Sequence, residues 1–122
     1  MKTINEIINA IEKENARSAW RKGVKEYAVM MLENFTDGDF ENVSTRKEIK
    51  EILLNGAKTW HEYSYGGCAL IYDTDIAKTL CTPSELKLKK GGELQPNSRE
   101  NWLDVQAKAL SHAYDLICRK AL

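Results

Sequence analysis

Apolar residues in the first 35 positions fall into two helical stripes that cannot share a face. Ile4, Ile7, Ile8 and Ile11 recur at helical spacing behind Thr3 and Glu6, a pair that forms a capping box. The next apolar set is Ala16, Trp20, Val24, Tyr27 and Met31. At about 100° per residue it lies nearly opposite the isoleucines, so one continuous helix would send half of its apolar surface into water. A break around residues 14–18 resolves the conflict, with Asn15 or Ser18 capping a second helix that runs to about Phe35. Thr36-Asp-Gly-Asp39 then reads as a turn.

Ser44 or Thr45, with Glu48 following, opens a third helix whose stripe is Ile49, Ile52, Leu53, Ala57 and Trp60. Tyr65-Gly-Gly67 stops it. Cys68-Ala-Leu-Ile-Tyr72 is a short apolar run that periodicity assigns neither to strand nor to helix, and a short helix fits Asp75 to Leu80. Thr82-Pro83-Ser84-Glu85 supplies an N-cap, a proline at the first helical position and an acid close behind, predicting a further brief helix ended by Gly91-Gly92. After the turn at Pro96-Asn97-Ser98, Asn97 and Glu100 cap a final helix to about Lys120. Its core positions are Trp102, Ala109, Ala113, Leu116 and Ile117, with Gln106 set among them. Four-residue pairs Asp104/Lys108 and Asp115/Arg119 lie opposite. The expected architecture is one all-α domain over residues 1–122, a bundle of five to six helices with room for one short extended segment near 68–72.

Composition narrows the function more by exclusion than by assignment. The chain carries 18 basic and 18 acidic residues, so attraction to nucleic acid or membrane has to be local. No apolar run is long enough to span a bilayer, and the polar Asn5, Glu6 and Asn9 interrupt the start where a signal peptide needs an apolar core. Three widely spaced cysteines, Cys68, Cys81 and Cys118, suit neither a disulfide framework nor a zinc site, and point to the cytoplasm. His61 and His112 are the only histidines. Cys68 with His61 could supply a nucleophile and base, but no acid is in place to orient them. Phosphate-binding glycine loops and two-histidine metal motifs are missing as well. The chain therefore reads as a non-enzymatic binder with no cofactor and no metal.

Three constellations carry the binding candidates. Arg17, Arg21, Lys22 and Lys25 make a basic face opposite Trp20, Val24 and Tyr27, suited to a small anion, a nucleotide-like ligand or an acidic host protein, though Glu14 and Glu26 flank it. Tyr63 and Tyr65 stand beside Gly66-Gly67, where aromatics on a glycine loop can stack a base or anchor a partner. Residues 75–90 have the layout of a helix-turn-helix, whose second helix would carry Ser84, Glu85, Lys87, Lys89 and Lys90 toward DNA. That alternative, a DNA-binding regulator, would use the lysines on phosphates and Ser84 or Glu85 on base edges. Each constellation also has a structural reading: solvated helix face, helix stop and αα-corner. Exposed aromatics permit a homo-oligomer without requiring one.

Tyr65-Gly-Gly-Cys-Ala-Leu-Ile-Tyr72, Asp75-Ile-Ala77, Cys81-Thr-Pro-Ser-Glu-Leu86, Pro96-Asn97 and Trp102-Leu-Asp-Val-Gln106 together resemble a group of small accessory proteins. These are encoded by phages and integrating elements of Gram-positive gut-type bacteria. The resemblance spans roughly residues 60–117 and brings no established activity. It implies a setting in which small proteins often bind host proteins or signalling nucleotides, block host defence, or regulate transcription.

Overall fold

The first helix, α1, occupies Ile4–Lys13 and starts as its capping box dictates. The Glu6 amide donates to Thr3 Oγ1 at 3.2 Å, and the Thr3 amide donates back to Glu6 Oε1 at 3.2 Å. A third amide of this first turn, that of Ile4, donates 2.8 Å to Asp37 Oδ1, so a loop far along the chain completes the cap. Ile4, Ile7 and Ile11 are buried. At ten residues α1 is too short to persist alone in water, and burial of these isoleucines, each worth about 1.5–3 kcal/mol, is what holds it.

The structure, a computed structural model, describes residues 1–63, 80–88, 94–96 and 99–122, with the backbone path alone at 54, 56–63, 85, 87–88, 94–96 and 99–107. The break between the first two stripes falls at residues 14–18 as predicted. Ser18 caps helix α2 (Ala19–Leu32), its Oγ accepting from the Arg21 amide at 3.1 Å. Gly23, Val24, Tyr27, Ala28, Met31 and Leu32 form the buried stripe. Helix α2 stops three residues short of Phe35. The reason is that Phe35 leaves the helix to pack its ring 5.5 Å from that of buried Phe40. Phe40 closes a 3-10 turn at Asp37–Phe40, in which the Thr36 amide donates to Asp39 Oδ2 at 2.7 Å. Asn42 just beyond it has φ 63°, in the left-handed region that asparagine tolerates better than most residues.

Helix α3 (Arg46–Tyr63) begins at the predicted box, with the Glu48 amide donating 3.2 Å to Thr45 Oγ1 and the Thr45 hydroxyl donating 2.8 Å to Glu48 Oε1. Hydrogen bonds from Thr45 and Ser44 hold the Glu48 carboxyl below its ordinary range. Ile49 and Leu53 are fully buried. The last helix, α4 (Arg99–Ala121), buries Ala109, Ala113, Leu116, Ile117 and Cys118 and is the hub: α1, α2 and α3 all pack on it, α2 most extensively. The Lys2 amide reaches the Ala121 carbonyl at 3.3 Å, tying the start of α1 to the end of α4.

Two expectations change. Among the described residues there are four α-helices, where five to six were expected; the stretch 64–79, including the 68–72 run and the helix start at Asp75, lies outside them. The helix predicted from Pro83 is one 3-10 turn, Pro83–Glu85, followed by strand β1 (Leu86–Leu88) paired antiparallel with β2 (Leu94–Pro96). Leu86-Lys-Leu-Lys alternates with period two, and over so short a run that pattern outweighs a favourable helix cap. Leu86 packs, partly buried, against the core to which Leu80 and Cys81 belong. The recognition helix that a helix-turn-helix needs is therefore not formed by residues 84–88. The fold is helical with a small hairpin.

Candidate functional site

The basic residues nominated from the sequence separate once their surroundings are known. Lys25 is half-buried, and its ammonium donates to the carbonyls of Glu12, at 3.0 Å, and Glu14. It caps the C-terminus of α1, satisfying orphan carbonyls at the negative end of that helix. A cation so engaged is structural. Arg17 and Arg21, by contrast, are exposed, the first in the α1–α2 connection and the second in the first turn of α2.

Between them in the chain stands Trp20, half-buried at the rim of the core. Helix α4 brings two side chains to it from across the α2–α4 packing. His112 meets the indole edge-on, with centroids 5.8 Å apart and planes at 89°, and the Lys108 ammonium sits 5.4 Å from the ring centroid. Both contacts suit the ring quadrupole, each worth about 0.5–1 kcal/mol at an exposed site. Lys108 and His112 are one turn apart on the same face of α4 and both are exposed. The result is a half-buried aromatic flanked from α4 by the Lys108 ammonium and the His112 imidazole.

Elsewhere two acids each gather a pair of cations. Asp115 takes both Arg46 (3.3 Å) and Lys50 (3.4 Å) from α3, and Glu14 takes Arg119 (3.0 Å) and Lys120 (3.6 Å). The Asp115/Arg119 pair expected along the helix is thus replaced by contacts between elements. Partial burial works to raise the Glu14 carboxyl, but the hydrogen bond and charge of Arg119, followed by Lys120, outweigh it and hold Glu14 below its ordinary range. Among the described residues, Arg17, Arg21, Lys22 and Lys108 make no ion pair.

The remaining nominated residues do not join this face. Tyr63 is the last residue of α3, its side chain outside the described set, and Tyr65 lies outside it altogether, as do Cys68, Lys89 and Lys90. The side chains of His61, Lys87 and Gln106 are likewise outside. Ser84 is exposed in the 3-10 turn with its hydroxyl 3.1 Å from that of Thr82, and Glu85 ends the same turn. Lys108, His112 and Trp20 are the residues that sequence reasoning missed. Trp20 reads as core and Lys108 as a helix-surface partner of Asp104; only the packing of α2 on α4 brings them together.

Chemistry finds less support in the described thiols. Cys118 is buried, its Sγ–H donating to the Arg46 carbonyl at 3.9 Å, and burial pushes the thiol up against the pull of Arg46 and Lys50. No cluster of three metal-ligating side chains occurs among the described residues, and no helix there is long and apolar enough to cross a membrane. A cavity of about 240 Å³ that shares no lining residue with the Trp20 face is bounded by Met1, Lys2, Thr3, Phe40, Asn42 and Val43 together with the acids Asp37 and Glu41. No protein family, curated protein or solved structure matches this chain.

Proposed function

We propose that this chain is a stoichiometric binding protein, an accessory factor of a phage or mobile element that acts in the cytoplasm by occupying a host protein or nucleotide-like anion, as a counter-defence inhibitor would. The observation that supports the reading is the face around Trp20, where the exposed Lys108 and His112 stand against a half-buried indole and Lys108 makes no ion pair among the described residues. Elsewhere in the same molecule Glu14 and Asp115 each draw in two cations. A cation held over an amphipathic aromatic at an exposed helix face offers both charge and an anchor. The setting comes from the resemblance over residues 60–117, and the binding mode from the face itself.

Titration of isotopically labelled protein tests it. At ~50 mM salt, where charge attraction is weakly screened, ATP and an acidic peptide are added separately. Binding through this face moves the Trp20 indole N–H and the His112 ring resonances by more than those of distant Phe40 or Val43. If neither probe moves Trp20 or His112, this surface is not the binding site and the reading falls.

A further inference from the structure

Lys108 and His112 stand one turn apart on the exposed side of α4 and meet the same indole from there. Among the described residues neither makes a hydrogen bond or an ion pair, and Trp20 is the contact of each. The two groups differ in a way that matters at a shared ring. A lysine ammonium stays charged through the physiological range, whereas an imidazole exchanges its proton within it, between about pH 5 and 8. A neutral imidazole can lie edge-on to the indole, 5.8 Å between centroids, while the ammonium 5.4 Å from the centroid takes the attraction of the π-electrons. Once the imidazole is protonated, two cations four residues apart border one ring.

The charges around His112 do little to absorb that second cation. On α4, Asp115 lies three residues further on, but it already holds Arg46 and Lys50 from α3. Arg119, two turns along the same side of α4, is taken with Lys120 by Glu14 at the end of α1. From α2 the side chain in contact is Trp20 itself, with exposed Arg21 next to it in the chain. Among the described residues, no carboxylate contacts His112.

Magnitudes decide which side chain yields. Like charges at this helical spacing disfavour each other by up to about twofold. The ammonium–indole contact favours a seated lysine by about two- to fivefold at an exposed site. A proton on His112 therefore weakens the seat by a factor comparable with what holds it. Lysine has a flexible four-carbon stem that carries its charge into solvent, so Lys108 moves and the shorter imidazole stays.

We propose that the Trp20 ring couples the proton of His112 to the position of Lys108. With the imidazole neutral, the ammonium sits over the indole; with the imidazole protonated, Lys108 swings toward solvent. The α2–α4 face is thus a pH-responsive device, which in acid presents a solvated ammonium and an imidazolium and uncovers part of the indole. This goes beyond the reading of the face as a binding surface and depends on no ligand.

Proton NMR of the labelled full chain, without ligand, tests it. Protons over an aromatic face are shifted upfield, so the ε-methylene protons of Lys108 report its seat, with those of exposed Lys47 as the unseated reference. They are followed together with the His112 ring protons from about pH 8 to pH 5. The expected result is an upfield displacement of Lys108 at the alkaline end that shrinks as His112 takes its proton, with a common midpoint. Its size corresponds to a roughly twofold fall in the ratio of seated to free lysine. In His112→Gln, a change at an exposed position, the displacement should persist across the range. Absence of any upfield displacement at the alkaline end would overturn the proposal, as would a displacement that survives the titration of His112 unchanged. A loss of equal size in His112→Gln would assign the response to another group and overturn it as well.

Discussion

Lys25 and Arg21 sit four residues apart on α2, yet they have opposite fates, and the difference can be measured. The Lys25 ammonium satisfies two carbonyls at the end of α1 in a half-buried setting. Lys25→Met should therefore cost about 1–2 kcal/mol, since charged hydrogen bonds are lost and the carbonyls are left to solvent. Arg17→Met, at an exposed connection, should stay within about 0.5 kcal/mol. Urea denaturation of the two variants separates them. Tyr114 provides the reverse case. Its hydroxyl is buried and, among the described residues, has no hydrogen-bond partner, and burial, with a contribution from the charge of Tyr27, pushes its pKa up to about 12. Tyr114→Phe should match or exceed wild-type stability, by up to about 1 kcal/mol, because the phenol pays desolvation without return. The alkaline limb checks the cause. A folded pKa above the ordinary phenol value of 10.0 means that stability is complete below pH 10 and falls as pH rises toward 12. The phenylalanine variant should lose that part of the decline, and an unchanged alkaline limb would mean that the Tyr114 phenol is not shielded from water.

At the scale of elements, α1 is short and owes its place to contacts at both ends: Asp37 at its first turn, Lys25 at its last, and Glu14 joined to Arg119 and Lys120 of α4. Glu14 titrates below its ordinary value of 4.5, so its contribution is present above that pH and is lost as pH falls through the lower folded value. The paired side chains are substantially solvated, which limits the pair to under about 1 kcal/mol. Glu14→Gln should lower stability slightly at pH 7 and converge with wild type in acid, and a constant gap down to pH 3 would contradict the assignment. The start of α1 was legible in Thr3 and Glu6, that of α3 in Thr45 and Glu48, and the interruption at 14–18 in the mismatch of two apolar stripes, because all three are local signals. Residues 83–88 were misread for an equally local reason. A proline in the first turn promises a helix, but it also suits a single 3-10 turn, and Leu86-Lys-Leu fits a strand at least as well. The role of Lys25 and the grouping of Trp20, Lys108 and His112 depend on helix crossings, and no spacing along the chain encodes those.

Over the whole molecule the net charge is zero, but its distribution is uneven. Glu14 at the α1 end and Asp115 on α4 gather Arg46 and Lys50 of α3 and Arg119 and Lys120 of the α4 C-terminus, whereas the start of α2 is left positive beside a positive helix end. If folding alone governed this arrangement, position 21 would gain from an acid, as positions 6 and 48 do. Arg21→Glu should therefore stabilise the isolated protein by about 0.5–1 kcal/mol, through the dipole and a completed capping box with Ser18. Urea denaturation at neutral pH reads the difference. A variant less stable than wild type would mean that the Arg21 side chain serves the fold, and that the missing acid at the start of α2 costs it nothing.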